Sequence, residues 1–246
     1  MGDHSRRLSY SLVLLMLMSV LVPVMLPTNS SELTEESSLQ FVSSRSSTLI
    51  DVVDWRIGDE WVYDAEFDVE DLIAGGAPGS QVGVLTGQLT REVVDIRTDT
   101  IDNVSTIVYD LESSGTFNYN GATIVASGFN VGGDLEVDLE MEEVIRASDL
   151  SQITYNMNLD VDFDNIGFPA SLVVGSSLDL ATLSIDTDYA PPKEIYDFPM
   201  NVGETWDTET TTSVSWSGDV YDNLFDLPED SSESSTESFG IVGSGN

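Results

Sequence analysis

The sequence predicts an all-β protein: an antiparallel curved sheet, half-barrel or sandwich, preceded by an N-terminal hydrophobic helix. Three observations carry that expectation. After Trp55, apolar residues recur at every second position through most of the chain, which is the period of a strand with one buried face. Turn-forming clusters such as Gly75-Gly76-Ala77-Pro78-Gly79 punctuate those stretches. No segment after residue 27 sustains the 3.6-residue period of a helix.

The N-terminal element is read first. Arg6 and Arg7 precede an apolar run from Leu8 to Leu26. As a helix it extends about 28 Å, close to the roughly 30 Å of a bilayer core. No clear small-x-small cleavage site follows, so residues 1–27 read either as a signal peptide or as an uncleaved membrane anchor spanning through residues 8–26. In both cases the arginines stay cytoplasmic and the remainder crosses. The expected location is extracellular or on the cell surface. Residues 28–48, rich in Ser, Thr and Glu, read as a flexible linker.

The β domain is expected over residues 49–197. In Glu60–Glu70, the residues Trp61, Tyr63, Ala65, Phe67 and Val69 fall on one side and mostly acids on the other. Asp134–Met141 repeats the pattern, with Leu135, Val137, Leu139 and Met141 opposite Asp134, Glu136, Asp138 and Glu140. So does Tyr155–Phe163, with Tyr155, Met157, Leu159, Val161 and Phe163 inward. Such strands suit an antiparallel sheet with one face in water. Further strands are expected at Val82–Arg97, Val104–Glu112, Thr116–Tyr119, Thr123–Ser127, Ser171–Val174, Leu178–Thr187 and Trp206–Ser217. Asn120-Gly121 predicts a type I′ hairpin, because both residues tolerate positive φ. Gly132-Gly133 and Ser217-Gly218-Asp219 also read as turns. Ala147–Gln152, with Ser148 as N-cap, and Val69–Ala74 predict a turn or two of helix.

One pattern recurs within the chain. Ile57-Gly58-Asp59-Glu60-Trp61 and, 145 positions later, Val202-Gly203-Glu204-Thr205-Trp206 share an apolar residue, Gly, an acid and Trp in the same spacing. Gly permits a tight turn and Trp anchors the first buried position of the strand that follows. Residues 198–225 are therefore read as further strands, with the start of a second related unit and a chance likeness of two strand entries as the alternatives, and 226–246 as a disordered acidic tail. The stretch Phe198-Pro199-Met200-Asn201-Val202-Gly203-Glu204-Thr205-Trp206 resembles an F-P-x-x-x-G-x-x-W signature of poorly characterised secreted prokaryotic β proteins. Some of those look like the half-barrels of lipoprotein carriers. The resemblance spans nine residues and brings no functional residues with it.

Charge excludes one class of partner. There are 44 acidic side chains against 8 basic ones, a formal net charge of −36. No basic patch exists to meet phosphates, so nucleic acid is not an expected partner. The acid-rich composition with a single lysine, Lys193, resembles proteins of halophilic or marine archaea. Its physical consequence is self-repulsion that molar salt screens. Cysteine is absent, which removes disulfides, thiolate nucleophiles and Cys-ligated zinc.

Catalysis finds little material. The single histidine, His4, precedes the apolar run, so no His-based triad or zinc site arises in the exported part. Asp160-Val161-Asp162-Phe163-Asp164-Asn165 opens like a calcium loop, making Asp160, Asp162 and Asp164 candidate calcium ligands. It departs from the EF-hand at Asn165 and Ser171, and strand alternation explains the acids equally well. No other cofactor is expected. Among the aromatic residues Trp55, Trp61, Trp206, Trp216, Tyr63, Tyr109, Tyr155 and Tyr196, those with Phe67 that are candidates to line a ligand groove are Trp61, Tyr63, Phe67, Tyr155 and Trp206. Core packing accounts for them as well. The expected function is a non-enzymatic structural, adhesive or partner-binding role in the cell envelope. The alternative is a carrier of an apolar ligand, such as lipid, on a concave sheet.

Overall fold

The computed structural model describes residues 51–67, 79–126, 129–201, 203–221 and 227–241. The expected N-terminal helix, the linker over 28–48 and the helical turn at Val69–Ala74 lie outside them. Within them the protein is all-β: one eight-stranded sheet whose strands pair in chain order. The strands are β1 (Glu60–Phe67), β2 (Leu85–Ile101), β3 (Val104–Ala126), β4 (Phe129–Arg146), β5 (Gln152–Asp164), β6 (Leu178–Lys193), β7 (Thr205–Val220) and β8 (Ser231–Gly240). Every neighbouring pair is antiparallel, and β1 and β8 are the two edges of a sheet that does not close. A single sheet replaces the two that a sandwich would need.

Alternation fixes which face is which. Across β3, β4, β5 and β6, the row Phe117, Val137, Val161 and Ala181 is in register, as is the row Gly115, Leu139, Leu159 and Leu183. All lie on the inward face, where Leu85, Phe117, Leu135, Leu139, Phe163 and Ile185 are less than 2% exposed. The outward face sets acid against acid: Asp134 opposite Asp164, Glu136 opposite Asp162, Asp138 opposite Asp160, and Asp162 opposite Asp179. Like charges directly across a ladder destabilise it. The apolar inward face supplies the compensating term, at about 25 cal/mol per Å² removed from water.

Several expected elements take another form. Thr116–Tyr119 and Thr123–Ser127 are not two arms of a hairpin. They belong to one strand, β3, up to Ala126. Gly121 does adopt the positive φ (+80°) that turn chemistry calls for, but it uses it in a bulge. The register steps from Asn120 opposite Asp134 to Ala122 opposite Gly133, and Asp134 Oδ1 accepts the Gly121 N–H at 2.9 Å. Gly132-Gly133 likewise sits inside β4, and Ser217-Gly218-Asp219 inside β7. At Gly218 a Cβ would collide with the Thr182 carbonyl oxygen, so glycine there permits close strand approach.

Ala147–Gln152 forms a tight reversal and not a helix, closed by Leu150 at φ 56° and by the Arg146 N–H donating to the Ser151 carbonyl at 2.9 Å. Conversely, Ser171–Val174, expected as a strand, is a single helical turn, α1. It presents Leu172 and Val173 to solvent, while Val174 packs against the core. The segment expected as a disordered tail contains β8. That strand is mostly Ser, Thr and Glu, and hydroxyl pairs hold it to β7: Thr211 with Ser234 at 2.7 Å and Ser213 with Ser232 at 2.9 Å. β7 continues the same sheet from β6.

Candidate functional site

The repeated Gly-acid-Trp motif is one turn built twice. Gly58 and Gly203 have φ of 86° and 87°. Gly58 donates to the Val93 carbonyl at 2.9 Å, and Val93 returns its N–H to Asp59 O at 3.0 Å. Gly203 donates to Ile241 O at 2.8 Å, and Ile241 returns its N–H to Glu204 O at 3.0 Å. The acid side chain closes each turn: Asp59 Oδ2 accepts the Arg56 N–H at 2.8 Å, and Glu204 Oε2 accepts the Asn201 N–H at 2.9 Å. Each turn starts a strand, β1 or β7, with a half-buried Trp on its inward face.

Sequence reasoning missed the most unusual group on that face. Arg91 of β2 and Glu143 of β4 reach across β3 to form an ion pair of 2.8 Å, with both residues at least nine-tenths buried. Gln152 Nε2 donates to the other carboxylate oxygen at 2.8 Å. Burial pushes the Glu143 carboxyl above its usual range, against the opposing pull of Arg91 and the Gln152 hydrogen bond. Burial likewise raises the tyrosine hydroxyls of Tyr63, Tyr155, Tyr189 and Tyr196. Tyr63, Tyr155 and Tyr196 all sit within electrostatic range of Arg91.

The pair lies between two apolar clusters. One is centred on Leu85, Phe117, Leu139 and Phe163, the other on Trp55, Val93, Tyr109 and Ile145. Five buried polar atoms lie on the inward face. Tyr63 Oη, Arg91 Nε, Ser113 Oγ, Thr187 Oγ1 and Trp206 Nε1 have no hydrogen-bond partner among the described residues. Chemically the pair is occupied. Both Glu143 oxygens are engaged, so neither is positioned to take a proton from a substrate. The signal that could have found it was parity: Arg91 follows Leu85, Gly87 and Leu89 at inward positions, and Glu143 follows Leu139 and Met141.

The five candidate groove residues all fall on the inward face. Phe67 and Tyr155 are buried in the larger cluster, with the Phe67 ring 5.8 Å from Phe117. The Tyr155 hydroxyl points at the sulfurs of Met141 and Met157, 2.9 and 3.4 Å away. Trp61 joins the smaller cluster, its ring 5.4 Å from Trp55. Trp206 stacks on Phe239 of β8 at 5.8 Å, and Tyr63 is half-buried on β1.

The calcium candidates are not brought to one point. Asp160, Asp162 and Asp164 occupy successive outward positions of β5, about 7 Å apart along the strand. Burial and the neighbouring carboxylates Asp179, Asp164, Asp160 and Asp138 push Asp162 above its usual range. Among the described residues no cluster of three or more metal-ligating side chains is arranged to hold an ion.

Comparison with protein-family models, with curated proteins and with solved structures gives no match to this chain.

Proposed function

We propose that this chain is an exported cell-envelope protein whose β domain has a non-enzymatic structural, adhesive or partner-binding role. The observation that carries this reading is the filled inward face. Six large side chains spread over β2 to β6, Leu85, Phe117, Leu135, Leu139, Phe163 and Ile185, are essentially inaccessible. A single sheet reaches that burial by curling its own face inward as a half-barrel. Tyr196, which follows β6, supports the curl: it packs in the cluster of Trp55 and Val93 and feels Arg91 on β2. A packed interior is what a scaffold needs, whereas a carrier needs an apolar cavity of roughly 300–1,000 Å³. The outward carboxylates also argue against a lipid-facing barrel, since charge on a lipid face is costly. Export rests on Arg6, Arg7 and the apolar run that follows.

The carrier of an apolar ligand stands as the second reading. The open sheet and the half-buried Trp61, Tyr63 and Trp206 favour it. Intact-mass measurement of the folded protein, followed by organic extraction, separates the two. The structural reading expects the bare polypeptide mass, and a stoichiometric lipid would overturn it.

A further inference from the structure

We infer that the free edge of β1 is a docking site for an extended strand of another protein, alternating apolar and basic residues. The inference rests on the partner-binding form of the proposed function and names the chemistry of the partner. Three observations lead to it.

First, the repeated turn supplies an internal comparison. β7 enters through the same turn as β1, yet it is paired on both edges, with β6 over Thr211–Val220 and with β8. β1 is paired only with β2 among the described residues. An unpaired edge presents a row of backbone N–H and C=O groups to any strand that fits.

Second, the two edges of the sheet differ. The outer edge strand β8 is Ser-, Thr- and Glu-rich on both faces and carries no exposed large apolar side chain. That decoration is how natural edges are protected. On or just before β1, Val53, Ile57 and Val62 are each more than half exposed.

Third, charge selects the occupant. Outward positions of β1 hold Glu60, Asp64 and Glu66 around Val62, and inward positions hold Trp61, Tyr63, Ala65 and Phe67. An added strand therefore needs cations on its outward side and apolar side chains on its inward side. A second copy of this chain does not supply them. An antiparallel β1 would set acids against acids, and β8 would bring Glu233 and Glu237 to the apolar side.

The test uses the exported chain beginning after the apolar run and an eight-residue peptide alternating lysine and valine. Its controls are the same peptide with N-methyl groups at alternate residues, which keeps the charge but removes half the backbone donors, and the variant Glu60→Lys/Glu66→Lys. The inference predicts that the peptide binds and slows hydrogen exchange of β1 amides between Trp61 and Phe67. N-methylation should weaken binding roughly tenfold or more, as expected for losing two or more backbone hydrogen bonds, and the charge reversal should weaken it as well. Equal binding of the N-methylated peptide would reduce the interaction to attraction by the acidic surface and overturn the inference. So would β1 amides that already exchange as slowly as those of β4 in the free protein, or that show no protection on binding. Either failure leaves the bare-mass test of the proposed function untouched, so the two readings fall separately.

Discussion

Removing the Arg91 side chain tests whether the inward face is a continuous low-dielectric core. Arg91 is 8% and Glu143 9% exposed, and their contact is 2.8 Å. Arg91→Met keeps the aliphatic stem and deletes the charge, leaving a buried carboxylate with only the Gln152 hydrogen bond. Breaking one partner of such a pair costs about 3–5 kcal/mol, whereas replacing both by apolar groups is close to neutral. The assay is urea unfolding followed by tryptophan fluorescence in molar salt, on Arg91→Met, Glu143→Leu and the double variant. Each single change should lower stability by about 3 kcal/mol or more, and the double should recover most of it. The sign of the pH effect follows from the raised Glu143 carboxyl. A carboxyl raised in the folded state binds its proton more tightly there, so its contribution is favourable below the unfolded value of about 4.3 and is lost as pH rises through the folded value. Arg91→Met, with the opposing charge gone, should regain stability on acidification more steeply than the wild type. A single variant within 1 kcal/mol of wild type, or a double variant no better than the worse single, would refute the reasoning, because it would place the pair in a water-like environment.

Two further outcomes follow from the outward face. The thermal midpoint should rise between low and molar salt, and Asp160→Asn/Asp162→Asn should raise the low-salt midpoint while shrinking that rise, since both acids face others across the ladder. On acidification from neutrality, stability should first increase as the raised carboxyls of Glu136 and Asp162 take up protons. It should then fall below about pH 4, where the lowered carboxyls of Asp99, Asp134 and Asp149 lose their hydrogen-bonded charge. Calorimetry across salt and pH reads both, and a stability that only declines from neutral pH downward would contradict the second.

The strands with strict alternation were legible because polarity and geometry agree there. The inward sets Trp61, Tyr63, Ala65 and Phe67, then Leu135 to Met141, then Tyr155 to Phe163 are the ones the sheet buries or half-buries. Punctuation misled where glycine serves a bulge, as Gly121 does, or close strand approach, as Gly133 and Gly218 do, and not reversal. Gly121, Gly133 and Gly218 sit inside long strands, so three expected segments of β3 merged into one of 23 residues. β8 was illegible because its Ser and Glu composition matches disordered chain. Its order comes from a partner, β7, whose Thr and Ser side chains bond it. The Arg91–Glu143 pair escaped because its members lie 52 positions apart and no local spacing joins them. Only inward parity on each strand marked them. The repeated Gly-acid-Trp motif is the opposite case: five residues encode a whole turn, its positive φ and its acid cap included.

Whether the inward face is packed is tested most directly by Leu139→Ala, at the centre of β4. Leu139 is 1% exposed, between Gly115 and Leu159 in register. A filled core predicts a loss of about 2–5 kcal/mol, the range for a large-to-small change that leaves a cavity. Val161→Ala, at a half-buried position of the same face, should cost less, about 1 kcal/mol. A Leu139→Ala protein that unfolds at the wild-type denaturant midpoint would show that the face lines an open groove, and would contradict the filled inward face directly.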